Sequence, residues 1–63
     1  VSDYITLVHD GVKLESENAV LFWFSDRAVW IPRSLLDDYS DEKRYVEVRS
    51  WFAIEEGLEA YEA

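Results

Sequence analysis

Cysteine is absent from this chain of 63 residues, which excludes a disulfide framework and a thiolate metal site. Glycine is nearly absent too. Gly11 and Gly57 stand far apart, so no glycine-rich loop is available to cradle a phosphate. Histidine occurs once, as His9. No serine or cysteine motif surrounds it, and it is expected as an exposed or edge histidine at the end of a strand, beside Asp10. No apolar run approaches bilayer length, so no membrane partner is expected. Bases are scarce: six Lys and Arg face fourteen Asp and Glu, for a net charge of −8. Such a field repels nucleic acid and attracts basic surfaces. Carboxylate pairs are plentiful, but a domain of this size has little room for a cleft that would desolvate them. Asp37-Asp38 with Asp41-Glu42 lacks the spacing of a calcium loop. The expectations are therefore no enzyme, no catalytic residue, no cofactor, no metal and no direct nucleic-acid contact.

Aromatic residues are abundant. Three Trp, four Tyr and three Phe accompany a hydrophobic fraction of 49%, enough to fold a chain near the lower size limit for one core. A single globular domain over residues 1–63 follows.

Tyr4 to Val8 reads as a strand, Asp10-Gly11 as a turn and Val12 to Glu15 as the return of an N-terminal hairpin. Ala19 to Phe24 is continuously apolar and is the strongest strand. It turns at Ser25-Asp26-Arg27 and returns through Ala28 to Pro32. A two-residue Asp26-Arg27 loop would set Phe24 opposite Val29, Trp23 opposite Trp30 and Phe22 opposite Ile31. Alternation then puts Phe22, Phe24, Val29 and Ile31 on one face, Trp23 and Trp30 on the other. Packing of the N-terminal hairpin over the two tryptophans would make them core. Arg33 to Tyr39 is expected as a helical turn followed by loop. Tyr45 to Arg49 alternates as a half-buried strand, Val46 and Val48 inward. Ser50 is the expected N-cap of a helix from Trp51. That helix either ends with Gly57 as a left-handed C′ residue or runs on towards Tyr61. The fold class is α+β: a small antiparallel sheet of three to four strands with one C-terminal helix packed on a face.

The acids are segregated. Asp37, Asp38, Asp41 and Glu42 lie in one segment without a base, and Glu55, Glu56, Glu59 and Glu62 in another. On a continuous helix Glu55, Glu59 and Glu62 would form one strip, with Glu55 and Glu59 ~6 Å apart along the axis. That is near the spacing of phosphates along a nucleic-acid strand. Folding does not ask for such a strip, since like charges at i, i+4 destabilise a helix. The alternative account is a solvated acidic face. These eight residues are the candidate partner-binding set. Their chemistry suits Lys and Arg, which accept carboxylates much as they accept phosphates.

The segments Ala19-Val20-Leu21-Phe22-Trp23-Phe24, Val29-Trp30-Ile31-Pro32-Arg33-Ser34, Val46-Glu47-Val48 and Trp51-Phe52-Ala53-Ile54-Glu55-Glu56-Gly57-Leu58 resemble small bacteriophage proteins. In size, acidity and this phage character the chain is similar to anti-CRISPR proteins that inhibit type I systems. The resemblance implies a monomeric inhibitor in the cytoplasm of the infected bacterial host. It would mimic DNA at the basic surface of a Cas effector subunit and so block target binding. A second expectation is a non-catalytic accessory subunit of a phage replication or recombination assembly, docking through an apolar Trp23/Trp30 face.

Overall fold

A computed structural model describes residues 3–63. The fold is α+β, mostly strand, with one helix near the C-terminus. Six strands follow in order: β1 (Tyr4–Val8), β2 (Gly11–Glu15), β3 (Ala19–Phe24), β4 (Arg27–Pro32), β5 (Leu36–Ser40) and β6 (Tyr45–Arg49). A 3-10 turn, Arg33–Leu35, joins β4 to β5. Helix α1 (Ser50–Glu55) and a second 3-10 turn, Glu59–Tyr61, close the chain. The strands form two antiparallel sheets of three, β1-β6-β5 and β2-β3-β4.

The core lies between the sheets. Leu7, Val46 and Val48 enter it from the first sheet, and Val20, Phe22, Phe24, Val29 and Ile31 from the second. Phe52, Ala53 and Leu58 close it from the C-terminal segment. The predicted alternation holds: the four residues assigned inward on β3 and β4 are all buried, as are Val46 and Val48.

The N-terminal hairpin does not form. β1 pairs with β6, Leu7 opposite Val46, while β2 pairs with β3. His9 and Asp10 carry the chain from one sheet to the other. The Gly11 N–H donates to His9 Nδ1 at 3.0 Å, and Asp10 accepts the Ser25 N–H, so local side chains take up backbone groups at this corner. Gly11 has φ 145°, which a side chain would strain.

The β3–β4 loop is Ser25-Asp26, one residue earlier than expected. Phe24 therefore opposes Arg27 and Leu21 opposes Trp30. Ser25 adopts φ 52°, and Arg27 joins the strand and donates to the Glu56 carbonyl at 3.0 Å. The pairing slips by an even number of residues, so every side chain keeps its face.

Residues 36–40 are strand β5 rather than loop. Leu36 opposes Val48 and Tyr39 opposes Val46, which extends the sheet past β6. Both β2 and β5 carry an irregularity, at Lys13 and at Asp37. These two edge strands are tied across the gap by the Val12 N–H on Asp41 Oδ1 at 3.0 Å and the Tyr39 hydroxyl on Glu15 Oε1 at 2.8 Å.

Helix α1 starts at Ser50, with extended Arg49 at the N-cap position and no capping side chain. It ends at Glu55, and beyond the Glu56 cap Gly57 turns left-handed at φ 71°. The Leu58 N–H donates to the Ala53 carbonyl at 2.7 Å and the Gly57 N–H to that of Ile54 at 3.1 Å, the bonding of a Schellman motif. Leu58, fully buried, folds back beside Phe52 and Ala53. Of the two C-terminal readings, the short helix is the one found. No helix among the described residues is long and apolar enough to cross a membrane.

Candidate docking surfaces

Each sheet has one face in the core and one facing out. The outer face of β1-β6-β5 is polar. Tyr45, Glu47 and Arg49 alternate outward on β6, opposite Val8, Thr6 and Tyr4 of β1. On β5, Asp38 opposes Glu47, and the irregularity adds Asp37 beside it. Asp37 pushes the Glu47 carboxyl above its ordinary range, with desolvation adding to the effect. Asp38 accepts the Tyr45 hydroxyl at 2.8 Å, which raises that phenol. Three carboxylates thus crowd the outer surface of one sheet. Glu47 was legible as an outward residue. Its place beside Asp37 was not, because β5 was not.

The other predicted site residues are dispersed. Asp41 is structural: it accepts the Val12 N–H and lies 3.5 Å from Arg44. Glu42 is exposed in the β5–β6 turn. Glu55 and Glu56 are exposed at the end of α1. Glu59 opens the second 3-10 turn, and Glu62 forms an isolated bridge with Leu7. Gly57 ends the helix before Glu59, so the strip Glu55, Glu59, Glu62 at helical spacing does not exist. Among the described residues, no group of three or more His, Asp or Glu side chains is placed to hold a metal ion.

Five of the six bases have side-chain partners within the chain. Arg27 and Arg33 donate to the carbonyls of Glu56 and Ser16, and Arg44 to that of Asp10. Lys13 stands 4.7 Å from the Trp23 ring and Arg49 4.6 Å from the Tyr4 ring. Among the described residues only Glu15 and Asp41, of fourteen acids, lie within 4 Å of a base.

His9 is buried, at 1% exposure, where an exposed or edge residue was expected. Its Nδ1 accepts the Gly11 N–H, so Nε2 carries the proton and donates to the Ser40 and Tyr45 carbonyls at 3.0 and 3.1 Å. The ring lies 4.8 Å from that of Phe22. Burial pushes the imidazole below its ordinary pKa. His9 pins β2, β5 and β6 together.

The outer face of β2-β3-β4 differs in kind. Leu14, Leu21 and Trp30 align in one cross-strand row, Gly11, Trp23 and Ala28 in the next. Trp23 is 41% exposed and Trp30 47%, where both were expected in the core. The N-terminal segment meant to cover them lies in the other sheet. Leu21 points outward yet is only 7% exposed, sheltered between its row neighbours.

Compared with known proteins, the chain matches no family model, no curated protein and no solved structure.

Proposed function

We propose that this protein binds, without catalysis, a basic protein surface that otherwise handles nucleic acid, and that it sets carboxylates where phosphates would sit. The observation that carries the reading is the near absence of internal neutralisation: among the described residues, two of fourteen acids have a base within 4 Å. Unpaired carboxylates crowded as at Asp37, Asp38 and Glu47 repel one another, and incoming Lys and Arg side chains relieve that repulsion. On this reading the chain is an anti-CRISPR-like inhibitor of a Cas effector subunit, acting in the infected bacterial cell. The candidate contact set is Asp37, Asp38, Glu42, Glu55, Glu56, Glu59 and Glu62. Asp41 contributes by holding β2 to the β5–β6 turn.

Competition against target DNA for a purified type I effector complex, across a salt series, tests this. The protein displaces DNA at low salt, and its affinity falls steeply as salt rises. Reversal of Asp37 and Asp38 to Lys, or of Glu55, Glu56 and Glu59 to Lys, abolishes displacement while the fold persists. Simultaneous binding of DNA and protein, unaffected by either reversal, would exclude the mechanism.

A further inference from the structure

Of the two outer sheet faces, that of β2-β3-β4 is the one without an acid among the described residues. Leu14, Leu21, Trp23, Ala28 and Trp30 occupy it, with Lys13 as its only charge among the described residues. Beyond sheltering Leu21 and receiving Lys13, Trp23 and Trp30 leave 41% and 47% of their surface exposed, apolar area that carries a risk of aggregation. Acids stand at both ends of the face. Asp10 and Asp26 flank it where β2 begins and β3 turns into β4. Glu17 flanks it at the β2–β3 turn, while Glu15, opposite buried Val20, turns to Arg33 and the Tyr39 hydroxyl. An apolar aromatic centre inside a charged rim is the anatomy of a protein interface.

We infer that this face docks a protein partner that presents an apolar groove edged by Lys and Arg. The inference rests on the binding reading above but not on DNA mimicry. Charge decides the occupant. A second copy would set Asp10, Asp26 and Glu17 against the same acids. A single-stranded nucleic acid could stack on Trp23 and Trp30, but its phosphates would meet Asp10, Asp26 and Glu17 with Lys13 as the only cation on the face among the described residues. A groove edged by Lys and Arg meets the acids with opposite charge and the tryptophans with apolar surface. The same logic makes Lys13 a mismatch for this partner.

The test uses the full chain carrying Trp51→Phe, so that emission comes from Trp23 and Trp30. The probes are an amphipathic Leu/Lys peptide, its Leu/Glu counterpart, a Ser/Lys peptide of equal charge, and oligo-dT. The Leu/Lys peptide shifts the tryptophan emission to the blue and shields it from acrylamide. The Leu/Glu peptide does neither. Trp30→Thr weakens Leu/Lys binding by about tenfold or more, and Lys13→Glu, remote from the core, tightens it. Should Trp30→Thr fail to fold, Lys13→Glu decides alone. Equal binding of the Ser/Lys peptide with unmoved emission overturns this inference and leaves the carboxylate reading standing. An emission shift with oligo-dT, weakened by Lys13→Glu, overturns it in favour of nucleic acid. Self-association that Trp30→Thr abolishes overturns it in favour of a second copy.

Discussion

The Gly11 amide lies 3.0 Å from Nδ1 of His9, so a ring nitrogen in the core does the work of a backbone carbonyl. A protonated ring has no lone pair left for that amide. Burial lowers the His9 pKa below 6.5, so the unfolded chain takes up its proton at higher pH than the folded chain. The stability that His9 supplies is full above the unfolded value near 6.5 and is lost as pH falls through the folded value. Melting temperature should fall from about pH 7 to pH 5. His9→Ala should remove this dependence and cost about 3 kcal/mol or more, because it leaves buried backbone groups unpaired and opens a cavity. A melting series of both proteins against pH checks this. An unchanged pH slope in the variant would show that His9 is not its source.

Gly57 offers a prediction with a sign. In a continuous helix, Gly57→Ala would stabilise by about 1 kcal/mol. At φ 71° the same change forces alanine into a left-handed conformation and should destabilise by about 1–2 kcal/mol. Leu58→Ala, which empties the site that this turn fills, should cost about 2–5 kcal/mol. Urea denaturation of the two variants measures both.

The carboxylates of the first sheet should behave in the opposite sense from His9. Asp37 raises the Glu47 carboxyl above 4.5, so the folded chain holds that proton more tightly than the unfolded one. The unfavourable contribution is complete above the folded pKa and is relieved as pH falls through it towards 4.5. At neutral pH and low salt, Glu47→Gln should therefore raise the melting temperature. The gain should fade as salt screens the cluster. A variant that melts at or below the parent temperature in low salt would count against crowding at this position.

Much of the architecture is local in origin. The inward set Phe22, Phe24, Val29, Ile31, Val46 and Val48 follows from alternation alone, because a strand turns successive side chains to opposite faces whatever it pairs with. It survived a loop displaced by one residue for the same reason: an even slip in pairing leaves faces unchanged. The acidic excess is likewise a property of composition, and the α+β class is legible too, since the one helix longer than a single turn is expected at the C-terminal end. Pairing partners are another matter. Tyr4 to Val8 prefers an extended backbone anywhere, and only the assembled fold, with His9 spanning β2, β5 and β6, sends it to β6 and not to its neighbour in sequence. That choice uncovers Trp23 and Trp30, whose burial depends on what lies above them. Leu36 to Ser40 carries two adjacent acids, a poor strand by propensity, and becomes β5 because β6 offers it an edge and the core takes Tyr39. The position of Asp37 beside Glu47 then follows from long-range pairing, for which a linear chain carries no local signal.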